Sequence, residues 1–263
     1  PFQLAGMAFT LAFVLAAASW LVRGGAPVRH LRQPAPVWLL GVCGLFGYHF
    51  FYFVALRNAP PVEASLIAYL WPLLIVLMSS LVPRAQGGGG LRWFHLAGAL
   101  AGLAGTALIV TGGAAAFQAR YGLGYAAAAA CALIWSSYSV LSRRYAHVPS
   151  DAVGGFCGAT AALAWACHLA FETTVWPAGG GQWLAVAGLG LGPVGLAFFT
   201  WDHGVKHGDI RVLGAASYAA PLMSTMILIA AGLAPATWVV GAACALIVGG
   251  ALLAGQELLR RRG

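Results

Sequence analysis

Hydrophobic residues fill this chain in nine long runs that are separated by short polar stretches. Each run has about 20 mostly apolar residues, which is the length that a helix needs to cross the hydrocarbon core of a membrane. Transmembrane β-strands would instead give shorter segments of alternating polarity. The pattern therefore predicts an all-α membrane protein with nine visible spans, near 2–22, 36–56, 60–82, 93–112, 122–142, 152–171, 182–204, 211–232 and 236–256.

The composition agrees with a chain that lies almost wholly in the membrane. Hydrophobic residues make up 61% of the 263 residues and charged residues only 8%, whereas soluble domains carry about 25% charged residues. In a soluble protein a formal charge of +8 would suggest nucleic acid. Here the basic residues lie around the ends of the apolar runs, so we expect no nucleic-acid partner.

The sequence predicts no metal site and no cofactor. Five cysteines all lie inside apolar runs without a Cys-x-x-Cys pair, which is typical of small core residues. His168 and Glu172 are four residues apart, but a third ligand is lacking. A Gly-x-x-x-x-Gly-Lys-Ser/Thr phosphate-binding loop is absent from the sequence as well.

Three prolines interrupt the apolar runs. Ten of the thirteen prolines lie at run ends or in loops, whereas Pro72, Pro193 and Pro221 lie inside runs. A proline within a helix removes a backbone hydrogen bond and clashes with the preceding turn, at a cost of about 3 kcal/mol. Membrane helices tolerate such breaks where neighbouring helices or a water-filled cavity satisfy the freed groups. The three prolines therefore indicate helix breaks that border a cavity.

A shift of 149 positions aligns the two halves of the sequence. The motif Tyr-x-x-Pro-Leu at 69–73 recurs at 218–222. The same shift places the first run opposite 150–171, and with a gap of six residues it places 98–112 opposite 241–255. Further pairs are Gly41 with Gly190, Phe50 with Phe199, and Arg57 with Lys206.

The run 122–142 has no counterpart, which would lie before Pro1. We therefore expect about thirty further residues carrying one more helix, and so ten transmembrane helices with the first absent from this sequence. Because five is an odd number, two five-helix halves must face opposite ways, as an inverted-topology repeat. Residues 1–115 would hold helices two to five, and residues 116–263 would hold helices six to ten, within one transmembrane domain.

Basic residues are distributed unequally between the two sides of the membrane. Alternate loops place only Arg57 and Arg120 on one side and the other twelve Lys and Arg residues on the opposite side. Cytoplasmic loops carry an excess of Lys and Arg, so we expect a multi-pass protein of a bacterial-type inner membrane with its C-terminus in the cytoplasm. The twelve are Arg23, Arg29, Arg32, Arg84, Arg92, Arg143, Arg144, Lys206, Arg211, Arg260, Arg261 and Arg262.

Ten spans in two inverted halves, a basic residue after the third and eighth spans, and Tyr-x-x-Pro-Leu in the fourth and ninth resemble the drug/metabolite transporter (DMT) superfamily. Within it, the chain resembles the EamA-type exporters. Its stretches G-Y-H-F-F-Y-F and A-Y-L-W-P are most similar to those of exporters of aromatic amino acids. The resemblance implies export of small metabolites by alternating access, without ATP hydrolysis and without an enzymatic activity.

The chain departs from this family in one motif. Many EamA proteins carry a Gly-Glu pair where the fifth and tenth helices begin, but the corresponding stretches here read P-R-A-Q-G-G-G-G-L-R and A-G-L-A-P-A-T. The function of that glutamate therefore does not transfer to this chain.

Aromatic and ionisable residues near mid-span are the candidates for binding a substrate. Their rings would suit an apolar or aromatic amino acid through stacking and through attraction of its ammonium group to a ring, about 0.5–2 kcal/mol each. Alternatively, such residues reflect only the general enrichment of Trp and Tyr in membrane proteins. His49 could carry a proton or, as a neutral ring, donate to a neighbouring helix. The candidates are Tyr48, His49, Tyr52, Tyr69, Trp71, Trp135, Tyr138 and Tyr218.

Two further sets of residues have structural interpretations. Asp202, His203 and Lys206 at the end of a run suggest a cytoplasmic salt-bridge network or gate. Small residues at helical spacing predict close packing of helix backbones. These are Gly98, Gly102 and Gly105, then Gly188 and Gly192, and finally Gly241, Ala245 and Gly249.

The sequence thus favours an exporter of neutral and especially aromatic amino acids, working as a monomer in contact with membrane lipid. A multidrug exporter of lipophilic cations is the alternative, although it usually needs a buried carboxylate and no acidic residue lies at mid-span. An intramembrane enzyme would need a nucleophile with a base, and its serines show no such grouping. A helical scaffold would not need matched helix breaks.

Overall fold

The computed structural model describes residues 1–24, 30–81, 91–112, 117–233 and 235–256, and within these ranges all regular structure is helical. Eight helical segments are long and apolar enough to cross a membrane, and Trp238–Ala254 is a shorter apolar helix. The predicted all-α membrane fold is therefore confirmed. Five basic residues used for the orientation lie outside the described residues, namely Arg29, Arg84, Arg260, Arg261 and Arg262.

We number the helices in chain order. They are α1 (Phe2–Val22), α2 (Ala35–Val42), α3 (Tyr48–Asn58), α4 (Pro61–Ala68), α5 (Trp71–Met78), α6 (Trp93–Thr111), α7 (Gly122–Ser142), α8 (Ala152–Phe171), α9 (Gly180–Leu191), α10 (Ala197–His207), α11 (Ile210–Ala216), α12 (Ala219–Ala230) and α13 (Trp238–Ala254).

Short π-helices join two pairs of these helices into continuous spans. The π-helix π1 (Cys43–Gly47) joins α2 to α3, and π2 (Gly192–Leu196) joins α9 to α10. The resulting spans are Ala35–Asn58 and Gly180–His207. Three 3₁₀ turns lie at Ser79–Leu81, Ala119–Tyr121 and Arg143–Tyr145.

The chain forms two compact units, and each takes helices from both halves of the sequence. The first unit contains Pro1–Phe50 and Leu141–His207, and the second contains Phe51–Val140 and Gly208–Gly263. The chain passes from one unit to the other within α3, within α7 and after α10.

Glycines allow α1 and α8 to pack closely in the first unit. A Cβ atom added at Gly154 would lie 2.5 Å from the Cβ of Ala16, and one at Gly158 would lie 2.8 Å from Cδ2 of Phe13. Because Gly154 and Gly158 are four residues apart, they share one helix face. That face of α8 is the one that packs against α1.

The second unit is built around an equally close pair, α6 and α13. A Cβ atom at Gly98 would lie 2.4 Å from the carbonyl oxygen of Gly250, and one at Gly105 would lie 2.7 Å from Cγ1 of Ile247. Gly102 faces the ring of Tyr218. The predicted close packing along this face of α6 is confirmed.

The glycines predicted to pack in the other two helices were assigned to the wrong faces. No described atom lies within 4 Å of a Cβ placed at Gly188, Gly192, Gly241 or Gly249. In α13 the glycine at the contact is Gly250, the residue after the predicted one. Several small residues follow one another there, so their spacing alone does not identify the face that meets α6.

Candidate substrate site

Both Tyr-x-x-Pro-Leu motifs coincide with interruptions of a spanning helix. In the first, α4 ends at Ala68 and α5 begins at Trp71. Ala68 lies four residues before Pro72, whose missing N–H would have bonded to the carbonyl of Ala68 in a continuous helix. The helix therefore ends one turn before the proline, and Tyr69 and Leu70 form the turn.

The second interruption has the same origin. Helix α11 ends at Ala216, next to Ser217, and Ser217 lies four residues before Pro221. The chain resumes as α12 at Ala219. Ala220 N–H donates to the carbonyl of Ser217 at 3.1 Å, which is the tighter i to i+3 pattern of a turn.

The third predicted break, at Pro193, is a widened helix and not an interruption. Pro193 lies in π2, and the helix continues on both sides. The equivalent segment 149 positions earlier is π1, which contains no proline. Sequence analysis missed π1, although the alignment of the halves around Gly41 and Gly190 was a signal that could have revealed it.

The two interruptions are in direct contact within the second unit. A Cβ atom at Gly214 would lie 3.1 Å from the carbonyl oxygen of Pro72. The backbone N–H of Leu73 donates to the Tyr218 hydroxyl at 3.2 Å. Leu73 is the third residue of α5, where a helix offers no internal acceptor for the N–H. Tyr218, which is fully buried, supplies that acceptor.

Three of the predicted aromatic residues form a cluster beside the first interruption. The rings of Trp71 and Trp135 meet edge to face, with centroids 6.3 Å apart. Those of Trp135 and Tyr138 are tilted, with centroids 5.2 Å apart. Trp135 and Tyr138 are almost fully buried. The interruption that ends α4 thus places Trp71 at the start of α5 against residues of α7.

Tyr52 and Tyr69 also belong to the second unit. The hydroxyl of Tyr52 lies 3.4 Å from that of Ser65, which connects α3 to α4. Tyr69 lies in the turn between α4 and α5 and is partly buried. The structure gives Tyr69 no bond to Leu222 that would match the bond between Tyr218 and Leu73, so the two interruptions are held differently.

The remaining two candidates lie in the first unit. The ring of His49 donates from Nδ1 to the carbonyl of Leu45 in π1, at 2.7 Å. It meets the rings of Phe9 and Phe198 edge to face, with centroids 5.0 and 6.1 Å away. Tyr48 is its neighbour in the chain. Sequence analysis missed Phe9 and Phe198, although Phe198 is the equivalent of His49 under the shift of 149.

The polar residues at the end of α10 form a buried network. Lys206 Nζ lies 2.7 Å from Asp202 Oδ2 and donates to the carbonyl of Val148 at 3.0 Å. Ser150 donates to the same carboxylate at 2.6 Å. The predicted salt bridge is present, while His203 is exposed and stacks on His207. A gating role for these residues stays a prediction.

A second ion pair lies just outside the spans, at the start of α11. Asp209 accepts from the backbone N–H of Arg211 at 3.0 Å and from its Nη2 at 2.7 Å. Burial raises the pKa of the Asp209 carboxyl, but the hydrogen bonds and charge of Arg211 outweigh burial and hold it below its usual range. Asp209 is thus a charged N-terminal cap.

His168 and Glu172 are part of the packing of the first unit. Nδ1 of His168 bonds to Glu172 at 3.0 Å, and Nε2 bonds to the hydroxyl of Thr174 at 2.8 Å. Glu172 also accepts from the backbone N–H of Gln3 at 3.0 Å. Among the described residues, no group of three His, Cys, Asp or Glu could hold a metal ion.

Comparison with known families gives one match that covers most of the chain. A family model described as the EamA-like transporter family matches residues 1–111 and 122–256. The two matched segments are separated by residues 112–121, which lie between α6 and α7.

Three relatives are each named as the aromatic amino acid exporter YddG. The one from Ancylobacter novellus is 56% identical over 265 residues, which cover 100% of this chain and 89% of the relative. That from Salmonella typhimurium is 27% identical over 62% of this chain and 56% of its own length. That from Escherichia coli is 25% identical over 77% and 69%.

The fold also matches a solved crystal structure. The two chains are 55% identical and superpose with a TM-score of 0.91, over 98% of this chain and 88% of the other. The resemblance to EamA-type exporters that the sequence motifs indicated is therefore confirmed.

Proposed function

The chain belongs to the EamA-like transporter family, and we propose that it exports aromatic amino acids across the inner membrane. As a multi-pass member of a transporter family it is not an enzyme. The observation that carries the choice of substrate is the aromatic cluster of Trp71, Trp135 and Tyr138 beside an interrupted spanning helix. The names of its relatives support the same choice.

The aromatic cluster suits the side chain of such a substrate. Edge-to-face and offset ring pairs contribute about 0.5–1.5 kcal/mol beyond their burial, and Trp71 is only partly buried, so its ring has surface left for a further contact. The ammonium group of the substrate would be attracted to ring faces of the cluster.

The interruptions suit alternating access, which we propose as the mechanism. Two adjacent short helices joined by a turn can change their angle at lower cost than one continuous helix, since the bond that each proline cannot donate to the carbonyl four residues earlier is already absent. We also propose that the two halves form an inverted repeat. It is supported by the equivalence of π1 with π2 and of α3 with α10, whose bounds differ by 149 in every case.

The orientation follows from the distribution of charge. Twelve basic residues lie around the ends of spans on one predicted side, and seven of them are among the described residues. Arg57 and Arg120 lie on the other side. We place the first group and the C-terminus in the cytoplasm. The protein would act as a monomer surrounded by lipid.

Transport into proteoliposomes tests the proposed substrate. We expect saturable uptake of labelled phenylalanine by the full-length protein and little uptake of glutamate or threonine. Trp71→Ala should reduce phenylalanine uptake about threefold to tenfold, because one ring contact is lost. Trp238→Ala, which removes a tryptophan that is 80% exposed, is the matched control.

A pH gradient across the same vesicles tests whether protons drive the export.

Phenylalanine uptake that is equal in Trp71→Ala and wild type would contradict the assignment of the aromatic cluster to substrate binding. Uptake of tetraphenylphosphonium with no uptake of any amino acid would replace the proposed function by export of lipophilic cations.

A further inference from the structure

A cavity of about 250 Å³ lies within the first unit, between the second half of α1 and the region around π2. Leu15, Leu191, Leu196 and Phe199 make most of its wall apolar. Leu191 and Leu196 are also 53% and 67% exposed. On helices that cross a membrane, exposed leucines contact lipid tails. The cavity is therefore an apolar groove whose wall includes two exposed leucines.

One end of the groove is polar. Arg23 lies there and donates from Nη2 to Asp151 Oδ1 at 3.1 Å and from Nε to the carbonyl of Ser19 at 3.2 Å. A guanidinium has five N–H donors, so these bonds leave others available. The side chain of Arg23 is 56% exposed and that of Asp151 is 30% exposed. The more accessible charge at this end is thus positive.

Trp20 contributes a second polar atom near the same end. Its ring lines the groove, is almost fully buried and stacks on His30 with centroids 5.0 Å apart. The indole N–H is buried without a hydrogen-bond partner among the described residues. An unsatisfied buried donor costs about 1–3 kcal/mol. An oxygen atom of a bound molecule would remove that cost after a small movement of the ring.

We propose that this groove binds one anionic phospholipid, with the phosphate at Arg23 and one acyl chain along the apolar wall. Basic pockets between transmembrane helices recognise anionic headgroups. A hydrocarbon chain has the same apolar character as the leucine wall. A choline headgroup carries its own cation beside the phosphate, so the arginine favours phosphatidylglycerol over phosphatidylcholine. The proposal does not depend on which substrate is exported.

Native mass spectrometry of the full chain in detergent tests this site, with phosphatidylglycerol or phosphatidylcholine added. Wild type should retain one phosphatidylglycerol in preference to phosphatidylcholine. Arg23→Gln should weaken retention of phosphatidylglycerol about fivefold. Leu196→Trp should weaken retention of both lipids, because the larger ring fills the groove. Arg120→Gln, which removes an exposed arginine from the second unit, should change neither.

A fourth variant separates lipid binding from a purely structural ion pair. Asp151→Asn frees the guanidinium from its carboxylate, so it should strengthen retention of phosphatidylglycerol while Arg23→Gln weakens it. If the pair only stabilised the fold, both variants would reduce retention and melting temperature together, and the proposal would be wrong. Unchanged retention in Arg23→Gln would overturn it as well. So would displacement of the lipid by excess phenylalanine, which would assign the groove to an amino acid.

Discussion

Tyr218 shows how a single side chain can hold two interrupted helices together. Its hydroxyl accepts the hydrogen bond of the Leu73 N–H at 3.2 Å, and its ring fills the space left by Gly102, where a Cβ atom would lie 2.4 Å from the ring. The residue is 0% exposed. It thus satisfies a backbone group that the interruption before Pro72 leaves without a helical partner.

Tyr218→Phe should lower the free energy of unfolding by about 1–3 kcal/mol, because the ring still fits while the Leu73 N–H loses its acceptor. The measurement is the thermal unfolding of purified protein in detergent. Tyr69→Phe is the matched control, since Tyr69 is the equivalent residue and has no such bond to Leu222. Equal melting temperatures for Tyr218→Phe and wild type would show that this hydrogen bond contributes nothing.

At the scale of elements, the close pair of α6 and α13 depends on which small residues face each other. A Cβ atom at Gly250 would lie 2.5 Å from the carbonyl oxygen of Gly98, whereas one at Gly249 would meet no atom of a neighbouring helix within 4 Å among the described residues. Two adjacent glycines in one helix therefore have opposite packing roles.

Gly250→Ala should destabilise the protein by about 1–3 kcal/mol, because two helix backbones must separate to admit a methyl group. Gly249→Ala should leave stability unchanged or raise it slightly, since alanine is the better helix former. Thermal unfolding of the two variants side by side measures the difference. Similar losses in both would contradict the observed face of α13.

The start of α11 offers a prediction about pH. Arg211 holds the pKa of Asp209 below its usual range, so the charged carboxylate stabilises the fold above the unfolded pKa of about 3.9. This stabilisation is lost as pH falls through the lower folded pKa. We expect Asp209→Asn to have a lower melting temperature than wild type at pH 7.

The same difference should shrink below about pH 4, where the unfolded carboxyl takes up a proton. Asp209→Ala separates the contribution of the cap, because it also removes the oxygen that accepts from the Arg211 N–H. A difference between Asp209→Asn and wild type that is the same at pH 7 and well below pH 4 would exclude the charge as its cause.

For the whole molecule, the recurrence at 149 residues connects the secondary structure to the proposed inverted repeat. The bounds of π2 and α10 are those of π1 and α3 shifted by 149 residues. Asn58 and His207, the last residues of α3 and α10, are therefore equivalent. Both are exposed.

In a cysteine-free background, Asn58→Cys and His207→Cys should react with a membrane-impermeant maleimide from opposite sides of the membrane, since inverted halves place equivalent ends on opposite sides. Right-side-out and inverted vesicles distinguish the two sides. Arg120→Cys should react from the same side as Asn58→Cys, because both lie in loops assigned to that side. Labelling of Asn58→Cys and His207→Cys from one side would rule out the inverted repeat.

The sequence by itself determined the features that depend on local structure. Apolar runs give the spans because a membrane requires every backbone group to be bonded within its own helix. Pro72 and Pro221 end α4 and α11 because a proline lacks the N–H that would bond to the carbonyl four residues earlier in the chain. The repeat is visible because equivalent helices carry the same motif at the same spacing.

Only the tertiary structure decided the features that join residues distant in sequence. Leu73 and Tyr218 are 145 positions apart, and nothing in either motif states that one bonds to the other. The choice of Gly250 over Gly249, and the packing of Phe9 and Phe198 around His49, likewise depend on how helices rotate against their neighbours. In a chain that is 61% hydrophobic, apolar residues occur on every helix face, so steric fit and hydrogen bonds between helices select the faces that meet.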